Sequence, residues 1–441
     1  MNRQAISPKK HLSFDALRMA VSAQLHHIDD PRQQGRCQHS VHDTVMSGFA
    51  CMFFQDPSIA DFQRRMDIRK QRNNLRQLFG VTTIPKDSQL REVIDSVDSE
   101  LLRPIFKDLF TRLQRGKYLP NFQVLPNLYI CGIDGVYHHS SEKVHCDHCL
   151  SKTHRNGSVS YSHGVLQGAL MHPDQKQIIP VMPEPIANTD GQKKQDCEIN
   201  AAKRFVVKLK QDHPRLGLII TGDGLFSKAP MINHVLAQGM HYVFVAKPSD
   251  HTYMMDWLDA YPQLPLVESR DVKGRNHQFR YQNQVPLNGR TDAPMVNYLH
   301  YQIVDTTGRV AFKNSWVTDI EVTHENVRAL ARGGRCRWKI ENECFNTLKH
   351  QGYHLEHNFG HGKKHLSHNM YLLTLLAFYF HQIFELSDPA YQLCRRIFVA
   401  KTSLWEEFRA LIRHFIHTDW DQLMVQMLGE HMDKHLLLIK K

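Results

Sequence analysis

The sequence predicts a mixed α/β protein: a helical N-terminal region, then a sheet with its helices, split late by a β-rich insertion. Three patterns predict it. Apolar residues recur at helical spacing over roughly the first 120 positions, strand-like runs bounded by turn residues begin near Pro126, and helical periodicity thins out between Pro248 and Val317.

In the N-terminal region, residues 1–125, Leu17, Val21, Leu25 and Ile28 form one helical stripe, and Leu90, Val93, Ile94 and Val97 form another. Asp87 and Ser88, just after Pro85, read as a helix start. Between the two stripes, FQRRMDIRKQRNNLRQLFG carries Arg64, Arg65, Arg69, Lys70, Arg72 and Arg76. Such a run serves either as a solvated helix face or as a DNA-binding one, and the basic charge of the whole chain favours DNA contact.

From residue 126 to 386 the pattern is α/β. NLYICGIDGVY, YSHGVLQGALM and KQIIPVMP read as strands, and KKQDCEINAAKRFVVKLKQDH as a helix with Ala201, Phe205, Val206 and Leu209 on one side. RLGLIITGDG is a buried strand, KAPMINHVLAQG a helix closed by Gly239, and HYVFVAK a further strand. Strands first and α/β alternation afterwards is the order of an RNase H-like sheet. The insertion, about 248–317, contains HQFRYQNQVPL, NYLHYQIVDTTGRVAF with DTTG as a hairpin turn, and NSWVTDI. NVRALARGGRCRWKIENECFNTLKH resumes regular α/β structure, and a long helix spans roughly 363–386. Residues 387–441 are expected to add helix and surface.

Lys and Arg total 55 against 44 acids, giving a net charge of +11, with 30 His in reserve. That balance suits a polyanion, nucleic acid before membrane. No apolar run reaches the ~18 residues needed to span a bilayer, and MNRQAISPKKHLSF lacks a secretory signal's apolar stretch. Nine scattered Cys make no disulfide framework, so the expectation is a cytoplasmic, nucleoid-associated protein with reduced thiols.

Two acids interrupt apolar strands: Asp134 in LYICGIDGVY and Asp223 in LIITGDGLFS. Hard divalent cations take oxygen ligands, and two such ions can serve both the attacking and the leaving oxygen of a phosphoryl transfer. Carboxylates at the ends of neighbouring strands converge in space however far apart they lie in sequence. Gly135, Gly222 and Gly224 are expected to leave room for a phosphate backbone. The competing role for each acid is to cap the turn that follows.

RCRWKIENECFNTLK resembles the signature helix of insertion-sequence DDE transposases, the group with a β-rich insertion before the catalytic Glu. Arg337, Glu341 and Lys349 match its Arg, Glu and Lys, while GIDG and TGDGLF resemble the two Asp motifs. The resemblance covers roughly 127–384. Gly334 stands where the family often has Tyr, and Lys349 follows Glu341 by eight positions, one more than is usual there. The resemblance implies that Asp134, Asp223 and Glu341 hold two Mg²⁺, with Mn²⁺ as a substitute. It further implies that Arg337 and Lys349 hold phosphates, and that a homodimer forms in the synaptic complex on DNA. The helix face offers a choice between Glu341 and Glu343. Ile340, Cys344 and Leu348 make one stripe and Glu341, Phe345 and Lys349 the next, which selects Glu341.

HCDHC carries a CxxC, Cys146 and Cys149, which reads either as a thiol-bearing loop or as half of a zinc site, with His138, His139, His154 and His163 the candidates to complete it. In YHLEHNFGHGKKHLSH, His354, His357, His361, His365 and His368 recur at helical-looking intervals, but Gly360 and Gly362 interrupt a continuous metal-binding face; beside Lys363 and Lys364 the segment reads as a polar helix face or as a phosphate contact. Asp196 and Glu198 start a helix, where acids suit the dipole. The expected activity is that of a DNA transposase. The rivals are an RNase H-like nuclease without strand transfer and a domesticated DNA-binding derivative without catalysis.

Overall fold

A computed structural model describes residues 9–30, 32, 37–188, 195–261 and 263–439, with side chains described as far as 429. The first eight residues, part of the stretch read as lacking a signal, lie outside this set. Six helices open the chain: α1 (Phe14–His26), α2 (Val41–Phe53), α3 (Ile59–Met66), α4 (Arg69–Phe79), α5 (Asp87–Ser96) and α6 (Arg103–Arg115). Serines start the first three. The Oγ of Ser13 accepts from the Ala16 N–H at 3.3 Å, Ser40 from Asp43 at 3.0 Å and Ser58 from Asp61 at 3.0 Å. The arginine-rich run breaks between α3 and α4, and Gly80 closes α4 with φ 71°.

The strands follow as β1 (Gln123–Leu125), β2 (Leu128–Ser141), β3 (Leu150–Thr153), β4 (Val159–Met171), β5 (Ile179–Pro180) and β6 (Glu184–Ile186). Helix α7 (Glu198–Asp212), β7 (Gly217–Gly222), α8 (Ala229–Ala237) and β8 (His241–Val245) alternate as expected, and a helix not expected in the β-rich insertion, α9 (Thr252–Asp259), follows. The insertion then supplies β9 (Leu266–Arg270), β10 (Asn276–Pro286), β11 (Met295–Val304) and β12 (Val310–Thr318). All twelve strands belong to one sheet, whose main path runs β3-β4-β2-β7-β8-β12-β11-β10-β9. Among the described residues only β2–β7 and β7–β8 pair in parallel. The insertion is therefore not a separate layer. Its last strand docks antiparallel on β8, Trp316 opposite Val245, and the inserted strands extend the sheet outward.

Helix α10 (Val327–Arg335) follows, then a π-turn (Ile340–Phe345), α11 (Asn346–His350), α12 (Leu366–Ser387), α13 (Pro389–Ile397), α14 (Lys401–His414) and α15 (Trp420–Ile439). Helix α12 is apolar on nearly every side and is buried as such. It packs against α2, whose thirteen residues are all buried, with Phe49 and Phe380 rings 5.0 Å apart. No helix among the described residues is long and apolar enough to cross a membrane.

The C-terminal segment is helical as expected, with exposed positions such as Val399 and Val425, but it also supplies core. Trp405 and Trp420 are wholly buried, and Trp420 stacks on Phe14 at 4.8 Å. Leu404, Trp405, Phe408, Leu411 and Ile412 form an inward stripe that the sequence carries but that composition alone hides. The first helices and the last thus share one aromatic core around α12.

Candidate active site

The register of β2 against β7 places the first two acids. The last parallel pair is Gly132 with Thr221. Two residues further along each chain come Asp134 and Asp223, near enough that the charge of Asp223 helps to raise the pKa of Asp134. Asp223 does end its strand. Asp134 does not: β2 runs on past its parallel partner, and Asp134 sits opposite Gln167 of β4. Each acid also serves its own turn, since Asp134 Oδ1 accepts from the Gly135 N–H at 3.0 Å and Asp223 Oδ1 from the Leu225 N–H at 2.9 Å. The turn-capping role and the site coexist, because each carboxylate uses only one oxygen in this way.

Glu341 arrives on the π-turn, which packs against β2. Such turns widen the helix and re-aim one side chain. Ile340, Cys344 and Leu348 are buried as the stripe predicts, and Glu341 is exposed. Glu343 faces elsewhere, toward Lys176 and Lys401 beside the C-terminal helices. Arg337 places Nη1 3.3 Å from Asp134 Oδ2. Burial raises the pKa of Asp134; the Arg337 charge works against that rise, and Asp223 and Glu341 add to it.

A fourth carboxylate belongs to this group. Glu198, at the first turn of α7, has its pKa raised by burial and then by the charges of Asp134 and Asp223. Its acid-at-a-helix-start pattern was legible, but its approach to β2 depends on how α7 packs there, and no spacing in the sequence signals that. No three of these carboxylates bring ligand oxygens within 4.8 Å of one another among the described residues.

The glycines have a different reason from the expected one. A Cβ at Gly135 would strike the Glu198 carboxylate, and one at Gly222 would lie 2.5 Å from the Phe226 ring. Gly224 faces Lys247 and Asp250 at 3.3 Å. They admit the protein's own side chains rather than a phosphate backbone. Gly334 lies against Trp316, 2.7 Å from where a Cβ would be, so no Tyr fits there.

The basic residues separate. Lys349 is half-buried and pairs with Glu356 at 3.3 Å. Arg64, Arg69 and Lys70 are exposed, Arg64 paired with Asp61 and Lys70 donating to the His414 carbonyl at 2.9 Å. Arg65 is not available to DNA. It is buried, donates through Nε to Asp56 Oδ1 at 2.7 Å and through Nη1 to Gln71 Oε1 at 3.1 Å, and pairs with the second Asp56 oxygen. A cleft of about 430 Å³ beside the Glu-bearing segment is lined by Phe279, Tyr301, Arg328, Arg332, Arg335 and Trp338.

Away from the acids, Cys146 and Cys149 stand with His163 and His361, all four ligand atoms within 4.8 Å of one another. Of the four imidazoles expected to complete the pair, only His163 is in place. His138 lies against Ser367 and Tyr371, and His154 bonds Ser160 at 2.8 Å. His361 comes from the glycine-interrupted segment read as a phosphate contact. No protein-family model and no curated protein matches the chain.

Proposed function

We propose that the protein is a DNA transposase of the DDE type with an RNase H-like core, cutting at the ends of its element and joining them to target DNA. The observation that carries this reading is the gathering of three acids: Asp134 and Asp223 follow the last β2–β7 pair, the Glu341 turn packs on β2, and the charges of Asp223 and Glu341 both act on Asp134. Antiparallel strands followed by two parallel ones, with α7 and α8 between them, support the RNase H-like assignment.

The donor set fits a hard cation: carboxylate oxygens only, with no thiol or imidazole among them. Asp134, Asp223 and Glu341 would hold Mg²⁺ or Mn²⁺, and Glu198 adds negative charge beside them. Bound there, the cations would supply Lewis-acid activation of the attacking oxygen and neutralise charge on the leaving one. Arg337 balances Asp134 in the free protein and is close enough to turn to a DNA phosphate. The cleft with Trp338, 41% exposed, among Arg328, Arg332 and Arg335 suits a nucleic-acid strand, stacking and charge together. Exposed Arg64, Arg69 and Lys70 offer a second basic surface. Two copies would be needed to hold two ends.

The test is a strand-transfer assay with end-sequence DNA bearing a free 3′-hydroxyl, in Mg²⁺. Joined products that vanish in Asp134→Asn sustain the proposal. Cutting without joining assigns a nuclease, and DNA binding with neither leaves a non-catalytic binder.

A further inference from the structure

We propose that Cys146, Cys149, His163 and His361 form a structural zinc site that clamps the β2–β4 hairpin to the segment leading into α12. A tetrahedral zinc with ordinary bond lengths of about 2.3 Å to sulfur and 2.05 Å to nitrogen sets its ligand atoms apart by about 3.8 Å (S to S), 3.6 Å (S to N) and 3.3 Å (N to N). The chain places Cys146 Sγ 3.9 Å from Cys149 Sγ. His163 Nε2 is 3.5 Å from Cys146 Sγ and 3.3 Å from Cys149 Sγ. His361 Nε2 is 3.3 Å from Cys149 Sγ and 3.0 Å from His163 Nε2. These are five of the six edges of one tetrahedron, slightly contracted at the nitrogen side, and the sixth, Cys146 Sγ to His361 Nε2, lies within 4.8 Å. Two thiols and two imidazoles are a borderline-soft set that selects zinc over the hard cations of the acidic site.

The surroundings prepare the ligands. His361 Nδ1 donates to the Gly362 carbonyl at 2.7 Å, which turns the lone pair of Nε2 toward the cluster. Gly360 and Gly362 flank it with φ 136° and 69°, and a Cβ at Gly360 would lie 2.7 Å from the Leu366 side chain, so the doubling-back that presents His361 requires glycine. The Cys146 N–H points at Cys149 Sγ at 3.5 Å, and the Cys149 N–H closes a turn on the Cys146 carbonyl at 3.1 Å. His163 lies on β4 opposite His139 of β2, five residues and roughly 16 Å along the strand from Asp134. Four protein ligands leave no open position, so the role is structural rather than catalytic. The clamp joins two parts of the fold that the chain otherwise separates by some 200 residues, cysteine loop to His361. It does not depend on the transposase reading.

The test uses the full chain purified under reducing conditions. Elemental analysis should find about one zinc per chain, and a chelator strong enough to remove it should lower the melting temperature by several degrees. Cobalt added back should give intense visible d–d bands and a thiolate charge-transfer band. His361→Gln should lose the metal, whereas His154→Ala, outside the cluster, should keep it. Because a ligand loss could unfold the chain, His361→Cys is the second variant: it should retain one metal with a cobalt spectrum shifted toward three thiolates. Metal below about a tenth of an equivalent with no cobalt spectrum would overturn the site, as would full zinc retention in both His163→Gln and His361→Gln.

Discussion

Replacing Arg65 by alanine should cost folding stability and leave the electrostatics of DNA binding untouched, the reverse of what its neighbour Arg64 should do. Asp56 is 2% exposed, and its two oxygens are both engaged by the Arg65 guanidinium. That group also lies 5.4 Å over the Phe54 ring and 5.7 Å over Phe62. Removing one partner of a buried pair strands the other charge, at a cost of about 3–5 kcal/mol. Arg409, whose charge also acts on Asp56, offsets part of this, so the expected loss is about 3 kcal/mol. Arg64→Ala breaks only an exposed pair with Asp61 and should cost less than about 1 kcal/mol. Urea unfolding gives the first quantity, read from the cooperative transition of the helical core. DNA binding against salt gives the second: each lost phosphate contact should reduce the log–log slope by about 0.9. Arg64→Ala should show that reduction and Arg65→Ala should not. If Arg65→Ala unfolds at the wild-type urea concentration, or flattens the salt dependence while remaining stable, the structural role is refuted.

Asp134→Asn and Asp223→Asn should each abolish cleavage, by more than about 100-fold, while DNA affinity stays within twofold, since the amide keeps shape and loses charge; a tenth of wild-type cutting would remove the position from the site. Glu341→Gln should be inactive and Glu343→Gln active in the same gel assay, and the opposite pattern would place the wrong acid over β2. Glu198→Gln should raise the Mg²⁺ concentration for half-maximal cutting severalfold, with little change at saturation; an unchanged titration would confine Glu198 to its helix. Asp95 accepts from the backbone N–H groups of Lys363, Lys364, His365 and Leu366 at 2.8–3.0 Å. Burial alone would raise its pKa, and these four donors outweigh that and lower it. A lowered folded-state pKa gives stability that is present above the unfolded value, about 3.9, and lost as pH falls through the folded one. Asp95→Asn should therefore cost about 1–2 kcal/mol at pH 7, a difference that shrinks as urea unfolding is repeated below the usual carboxylate range. A pH-independent difference would contradict it.

Local signals in the sequence located most elements. Asp87 starts α5, Gly239 follows α8, and the Asp305 carboxylate binds the Thr307 and Arg309 N–H groups at 2.9 and 3.0 Å in the expected hairpin turn. Each depends on neighbours within a few residues. Arg65 does not face DNA as expected because it shares the inward face of α3 with the buried Ile59, Phe62 and Met66. The inward stripe was legible; the acid waiting at Asp56, before the helix begins, was not. Glu198 and His361 were hidden more deeply. Their roles are fixed by where α7 and the α11–α12 connection come to rest, which no short-range pattern encodes. The same holds for the insertion: its strands were visible, but their joining of the main sheet through β8 rests on a pairing of Trp316 with Val245 across some seventy residues.

The π-turn between Ile340 and Phe345 separates chain length from direction. Seven residues of α-helix sweep about 700° and bring a side chain back to within about 20° of its starting face; an eighth carries it about 100° beyond. A turn closed by i→i+5 bonds can take up one such extra residue, and Lys349 follows Glu341 by eight positions. Two chains that differ by one residue here can present the same carboxylate and the same lysine in the same directions. Aligned by position they disagree; aligned by azimuth they do not. Deleting Asn342, on the exposed side of the turn, should let the helix relax to ordinary pitch with both side chains still aimed as before.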